Sequence, residues 1–418
     1  MAQTSPTGPC IAARAAALKP SSTLAVTERA KALKAQGVDV IGFAAGEPDF
    51  PTPASVVEAA KAALDAGMTR YSPSIGDPET RGVIAEKLER ENGIRGLSPK
   101  HTAVSVGGKH SLSNIFQVIL DPGDEVVLPT PAWVSYAPQI RLSGGTVVEV
   151  PTAVEGGFKM SPGMLRAAIT PRTKAVVINS PSNPCGTMYS PAELEALADT
   201  LAEATASTAP RMLVVTDEIY EKIVFGRHPH RSLGSIAAIA DRVITCNGLS
   251  KAFSMTGWRV GYCAAPGDLG AEIIAAIGRL QSQTTSNIPS FILPAARVAL
   301  TECADDVERM RQAFAERAKL IEQRLRAIPG IEFPTPEGAF YVFADVSSHF
   351  GKSTPSGSLV DSALTFAGAM LDEQKLAVVP GEDFGGIGPR CIRLSFACGE
   401  DQINAGLDRL ASFVAGLG

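Results

Sequence analysis

The chain has 418 residues, 45% of them hydrophobic and 19% charged, enough for one large domain or roughly two to three smaller ones around a buried core. A net charge of −5 and a pI near 5.7, with no cluster of Lys and Arg, exclude a nucleic-acid-binding surface. Seven cysteines at irregular spacings form no CxxC pair and read as reduced thiols. The opening "MAQTSPTGPC" has no basic start or apolar centre, and no apolar run reaches about 18 residues, so the expectation is a soluble, cytoplasmic protein that neither enters nor spans a membrane.

Residues 24–36, "LAVTERAKALKAQ", predict an amphipathic helix stopped by Gly37, followed by strand and loop in "VDVIGFAAGEPDF". From 101 onwards short β-rich runs alternate with helical patterns. "HTAVSV" precedes the helical "KHSLSNIFQVIL"; "DPGDE" turns into "VVLP"; "TVVEV" (146–150) and "KAVVINS" (174–180) follow. A helix in "AELEALADTLAEATA" then leads to "RMLVVTDE" (211–218), "RVITCNG" (242–248) and "RVGYCAA" (259–265). Apolar strands separated by helices predict a mainly parallel sheet covered on both faces, an α/β domain. Beyond about residue 300 the long helical "DDVERMRQAFAERAKLIEQRLRAI" gives way to "GAFYVFADV" and "CIRLSFA", the signature of a small α+β unit built with the N-terminal segment. The expected division is 1–52 (arm and part of the small domain), 53–305 (large domain) and 306–418 (small domain). Within the last, "SSHFGKSTPSGSL" (347–359) reads as an inserted loop.

Four features carry chemistry. In "SVGGKHSLSN" (105–114), Gly107 and Gly108 separate a strand from a helix and let backbone N–H groups approach a phosphate at the helix start. "VVTDEIY" puts Asp217 at the end of a buried strand, where open α/β folds place ligands; read alone, the residue is a helix cap. "NSPSNPCGT" (179–187) turns on Asn183–Pro184, and most such turns only reverse the chain. "NGLSKAFSMTGWRVGY" (247–262) boxes Lys251 in a loop with Arg259 beyond it. Pyridoxal phosphate catalysis needs all four. A lysine forms the Schiff base, an acid holds the pyridine nitrogen protonated, and an arginine with a helix N-terminus takes the phosphate.

The sequence resembles the fold-type I aminotransferases of class I, within them the bacterial aspartate aminotransferase branch. "SSTLAVTERAKALKAQGVDVIGFAAGEPDF", "YSPSIGDPETR", "VSVGGKHSLSN", "PAWVSY", "NSPSNPCGTMYS", "TDEIY", "SKAFSMTGWRVGY", "GAFYVF" and "RLSFA" stand in that family's order along nearly the whole chain. The resemblance implies a large domain with a mainly parallel seven-stranded sheet and a small domain from both termini. It implies Lys251 as Schiff-base lysine and proton carrier, and Asp217 on the pyridine nitrogen. Tyr220 and Asn183 would bond the ring oxygen and Trp133 would stack on the ring. Gly107, Gly108, Ser250 and Arg259 would surround the phosphate. Tyr71 would reach the phosphate of a second subunit, so a homodimer is implied. Arg393 would clamp the substrate α-carboxylate, with Gly46 lining the site through its backbone.

Lys109 and Ser21 are similar to the residues that receive the distal carboxylate of aspartate in this branch, and Lys19 to a basic residue kept for prephenate. A lysine at a helix start opposes the helix dipole, which a bound anion would explain; a solvated charge is the plain alternative. The implied reaction is ping-pong transfer of the amino group from L-aspartate to 2-oxoglutarate, with prephenate as a second substrate. The alternatives are transamination of aromatic amino acids or alanine, another pyridoxal phosphate reaction such as elimination or ring closure, and a non-catalytic regulator of the same fold. The last is disfavoured because no basic DNA-binding appendage is expected ahead of the family-like text. Ala132, Cys185 and Gly248 depart from the branch's usual residues, the first and last at the expected pocket floor and phosphate cup. His228 and His230 in "RHPHR" flank a proline without a third ligand and read as a solvated loop, so no metal is expected.

Overall fold

The computed structural model describes residues 10–18 and 22–418. Its strands are β1 (Ile41–Gly42), β2 (Thr102–Val106), β3 (Glu125–Thr130), β4 (Thr146–Pro151), β5 (Thr173–Asn179), β6 (Leu213–Asp217), β7 (Val243–Gly248) and β8 (Val260–Ala264). They continue with β9 (Tyr341–Asp345), β10 (Lys352–Ser353), β11 (Leu359–Val360), β12 (Leu376–Ala377), β13 (Val379–Pro380) and β14 (Cys391–Ser395).

Seven strands form the main sheet in the order β2-β8-β7-β6-β5-β3-β4. All run in the same direction except β8, which is antiparallel to both of its neighbours, β2 and β7. Side chains alternate across this sheet, and both faces are buried. Val126, Leu128, Ala175, Val177, Val215 and Ile244 pack with Leu112, Ile115 and Phe116 of the helix Gly108–Ile119. Val127, Val176, Ile178 and Val214 face the other way, onto Leu194, Leu197 and Leu201 of the helix Pro191–Ala206. That helix begins with a capping box: Ser190 Oγ accepts from the Glu193 N–H at 3.3 Å, and Glu193 Oε2 accepts from the Ser190 N–H at 2.7 Å.

Because β8 alone is reversed, the C-terminal ends of β2, β3, β5, β6 and β7 and the N-terminal end of β8 lie on one edge of the sheet. The segments carrying Gly107, Trp133, Asn183, Tyr220, Lys251 and Arg259 all begin or end there.

The small domain draws on both ends of the chain, as expected. β14 lies between β13 and β9 in an antiparallel sheet, and β1 pairs in parallel with β12, stitching the N-terminal segment to the C-terminal part. The N-terminal helix covers Ser22–Ala35; its Val26, Ala30 and Leu33 lie on one face against Val40, Leu371 and Ala377, and Gly37 follows at φ 81°. Phe43, Phe314, Phe340, Phe366, Phe396 and Phe413 fill the core of the unit. Arg317 clamps Asp49 through two hydrogen bonds of 2.7 and 2.9 Å, fixing the loop that follows β1 to the long helix Ala304–Arg326. The Ser/Gly-rich segment 347–359 is not wholly loop: a 3-10 turn and the two-residue strands β10 and β11 form a short hairpin. Among the described residues no helix is long and apolar enough to cross a membrane.

Candidate active site

A cavity of about 1140 Å³ opens at the sheet edge, and it gathers Gly46, Gly108, Lys109, Trp133, Asn183, Asp217, Tyr220, Ser250, Lys251, Arg259 and Arg393. These residues are spread from 46 to 393 along the chain and come together without exception. Gly107 lies immediately behind Arg259. Tyr71 is 90% exposed and belongs to no part of this cavity. Lys19 and Ser21 lie outside the described residues.

A cup in the cavity wall is built by backbone constraint. Gly107 has φ 81° and caps the helix Gly108–Ile119; a β-carbon there would run into the Arg259 guanidinium. Arg259 itself sits at φ 58°, and its Nη1 donates to the Thr256 carbonyl at 2.9 Å. Ser250, buried, completes the rim. A helix N-terminus, a cation and a hydroxyl thus line the same cavity, a donor set that suits a phosphate dianion.

Asp217 ends β6 almost fully buried. Its Oδ1 accepts from the Ile219 N–H at 3.2 Å and its Oδ2 from the phenol of Tyr136 at 2.7 Å. Burial pushes its pKa up to about 6, against the pull of those hydrogen bonds; Glu218 adds to the rise and Lys251 opposes it. Lys251 follows β7 in a tight turn, with Nζ donating to the Gly46 carbonyl and lying 5.8 Å from the centre of the Phe340 ring. Its pKa is lowered to about 8, mainly by burial and with help from Arg393 and Arg259, against the opposing pull of Glu47 and Asp217. An amine so tuned is partly neutral near physiological pH, as a nucleophile or proton carrier must be.

Arg393, on β14, is a buried guanidinium that forms no ion pair among the described residues. Its Nη1 donates to Asn183 Oδ1 at 3.0 Å and its Nη2 to the Ala44 carbonyl at 3.1 Å, while Nε has no partner. It is wedged 4.6 Å from the Tyr341 ring centre and 5.4 Å from that of Phe384. A buried cation without a counter-charge is strongly disfavoured unless an anion enters with it. Lys109 reaches across the cavity to within 5.2 Å of the Trp133 ring centre, and burial together with Arg259 lowers its pKa.

The cavity also holds residues that the motifs did not single out. Tyr136 follows Trp133 in "PAWVSY", and Tyr341 stands in "GAFYVF" with its hydroxyl 3.1 Å from that of Tyr220. Glu149, Glu382 and Asp383 contribute carboxylates to the lining, and Arg14 and Arg141 further cations. Two departures are placed differently from expectation. Ala132 lines a smaller adjoining cleft rather than the main cavity, with its N–H bonded to the Phe384 carbonyl at 2.8 Å. Gly248 lies in the β7–β8 pairing, where a β-carbon would stand 2.8 Å from the Val260 carbonyl oxygen, so close strand approach requires glycine there. Cys185 is buried among Phe158, Phe343 and Phe384.

His228 is exposed as expected, but His230 is not solvated. Only 10% of its side chain is exposed, and Nε2 lies 3.9 Å from Glu218 Oε2. Glu218, Glu221 and His230 present ligand-type atoms within 4.8 Å of one another. Lys87 already supplies a cation there, ion-paired to Glu221 and donating to Asn92 Oδ1 at 2.8 Å. The histidine lies beside this buried network, and its Nε2 has no hydrogen-bond partner among the described residues.

Residues 38–410 match the family described as aminotransferase class I and II. The chain is 44% identical to the aspartate/prephenate aminotransferase of Cereibacter sphaeroides over 96% of this chain and 98% of that protein. It is 44% identical to the aspartate aminotransferase of Geobacillus stearothermophilus over 97% and 98% respectively. Its fold is similar to that of the aspartate aminotransferase from Rhizobium meliloti (TM-score 0.91, 37% identity, 98% of this chain and 100% of the other). It is similar also to that of the Thermus thermophilus enzyme solved with maleate (TM-score 0.88, 42% identity, 97% and 100%). The family match over residues 38–410 and the full-length likeness establish that the chain belongs to the class I and II aminotransferases, as a fold-type I, pyridoxal phosphate-dependent enzyme of the aspartate/prephenate branch.

Proposed function

We propose that the protein is an aspartate aminotransferase, moving the amino group of L-aspartate to 2-oxoglutarate to give oxaloacetate and L-glutamate, and that prephenate is a second amino acceptor. The observation that carries this reading is that one cavity is lined by Arg393, buried and without an ion pair among the described residues, and by Lys109, a second cation beside Trp133. Two cations facing one pocket suit a substrate with two carboxylates. Relatives named for aspartate, and the Thermus enzyme solved with the dicarboxylate maleate, support the same substrate class.

Pyridoxal phosphate, when bound, supplies the carbon that takes up the amino group and the ring that withdraws electrons from it. The protein's own part is division of labour. Gly107, Gly108, Ser250 and Arg259 hold the phosphate; Asp217 holds a proton at the ring nitrogen; Tyr220 and Asn183 bond the ring oxygen; Trp133 covers a ring face. Lys251 would anchor the cofactor, and its amine would carry the proton from the substrate α-carbon to the cofactor carbon that takes up the amino group. In the cofactor-free cavity the Lys251 pKa is lowered to about 8, so part of the amine is free base near pH 7. Arg393 orients the α-carboxylate so that the departing C–H bond faces Lys251, and Gly46 lines the approach. Lys109, with Ser21, takes the distal carboxylate, and Lys19 the second carboxylate of prephenate.

The same reading includes a homodimer in which Tyr71 serves the phosphate cup of a second copy. An almost fully exposed tyrosine outside its own chain's cavity supports that placement. It includes the division 1–52, 53–305 and 306–418, with the small domain closing over the cavity to exclude water. It also includes a cytoplasmic location, supported by seven cysteines that are all free. Lys109→Ala is the experiment that tests the substrate: kcat/KM for aspartate should fall about 10- to 100-fold and that for alanine far less. Equal losses for the two would remove the distal-carboxylate assignment and favour the neutral or aromatic substrates.

A further inference from the structure

Asp217 is held from a direction that none of the assigned roles explains. Tyr136, 81 residues earlier in the chain, opens the helix Tyr136–Leu142, and its hydroxyl donates to Asp217 Oδ2 at 2.7 Å. The phenol is 1% exposed and the aspartate 6%, so water does not compete for this bond. Tyr136 is itself fixed: its N–H bonds the Trp133 carbonyl at 3.1 Å, and its ring meets the Trp133 indole edge-on, with centroids 5.3 Å apart and planes at 81°.

Five other groups face the carboxylate. The Ile219 N–H, Glu218 and Tyr220 come from the turn after β6, Cys246 from the neighbouring β7, and Lys251 from the turn after β7. Of these only the Ile219 N–H, at 3.2 Å, hydrogen-bonds it; the Tyr220 hydroxyl is turned to Tyr341 at 3.1 Å. Tyr136 is therefore the one side chain that bonds this carboxylate among the described residues, and by the shorter of its two hydrogen bonds.

We propose that Tyr136 is a positioning residue that keeps Asp217 ionised and aimed at the cofactor ring nitrogen, and that its contact with Trp133 sets the carboxylate and the stacking indole in one fixed relation. The inference rests on the pyridoxal phosphate reading of the site. Burial favours the neutral acid at Asp217, and the phenol bond is the largest opposing influence. A neutral Asp217 cannot hold a positive ring nitrogen, so losing the phenol weakens the cofactor's hold and its electron withdrawal together.

Tyr136→Phe removes one oxygen and keeps the ring contact with Trp133. Titrated with pyridoxal phosphate, the variant should bind about 10- to 100-fold more weakly than wild type. The visible band of its lysine-bound cofactor should also titrate at higher pH, because a ring nitrogen without its proton withdraws fewer electrons. A purely structural tyrosine would lower the melting temperature and leave that titration where it was. In an Asp217→Asn background, Tyr136→Phe should change cofactor affinity less than twofold, since the group it acts through has gone. An unchanged affinity and titration in Tyr136→Phe, or full additivity with Asp217→Asn, overturns the proposal. Should Tyr136→Phe not fold, Tyr136→His, which keeps an N–H donor on a ring, is titrated instead: a wild-type profile supports the proposal and a displaced one overturns it. A wild-type protein without any lysine-bound band would instead sink the pyridoxal phosphate reading itself.

Discussion

Replacing Arg393 with lysine keeps a positive charge on β14 but discards the geometry that makes it useful. The guanidinium spreads its donors over Asn183 Oδ1 at 3.0 Å and the Ala44 carbonyl at 3.1 Å, and the Tyr341 and Phe384 rings hold its plane. Its Nε remains unbonded, and an entering carboxylate can take that donor. An ammonium offers no planar fork and cannot be held flat between two rings. The loss is one charge-assisted hydrogen bond of about 1.5–3 kcal/mol, so kcat/KM for L-aspartate should fall roughly 10- to 150-fold. Steady-state kinetics with aspartate and 2-oxoglutarate measure it, and cofactor affinity, measured by titration, should stay within about threefold because Arg393 makes no part of the cup. A kcat/KM within threefold of wild type would refute the assignment of the α-carboxylate to this arginine. A collapse of cofactor binding would instead mean that Arg393 acts through Asn183.

Two further predictions concern the cup and the buried acid. Gly107→Ala places a β-carbon against the Arg259 guanidinium at a backbone φ of 81°; strain of about 1–3 kcal/mol and a displaced cation should weaken pyridoxal phosphate binding at least tenfold in an equilibrium titration, and unaltered binding would place the phosphate elsewhere. Asp217 has its folded pKa raised from 3.8 to about 6, so its favourable contribution is complete below pH 3.8 and is lost as pH rises through 6. In cofactor-free protein, Asp217→Asn should therefore gain stability over wild type by about 3 kcal/mol between pH 4 and 8, read from melting curves; a difference that does not change with pH would contradict the burial of a charged carboxylate there.

The strands and the cavity differ in how far local sequence reveals them. Most main-sheet strands are short apolar runs buried on both faces, so composition alone marks them; β3 and β6 are examples, while the edge strand β4 is largely exposed. The reversal of β8 is invisible, because an apolar run has no direction. So are β1 and β12, two residues each, which pair only because the chain's two ends meet. Lys251, Asp217 and Arg393 were legible through motifs whose order mirrors the family. Tyr136 and Tyr341 lay inside those motifs, yet their roles depend on partners 81 and 121 residues away, and that separation carries no periodic signal. The burial of His230 is not legible either: its neighbours in sequence are polar and turn-forming, while the carboxylate beside it, Glu218, follows the end of β6.

The central claim is that Lys251 holds pyridoxal phosphate in a cavity made for an acidic amino acid. An absorbance spectrum of the purified protein with pyridoxal phosphate, recorded before and after adding L-aspartate without a keto acid, tests both halves at once. The prediction is a visible band of lysine-bound cofactor that aspartate converts to the pyridoxamine band at shorter wavelength. A band that aspartate leaves untouched would contradict the substrate assignment, and no band at all would contradict the role of Lys251.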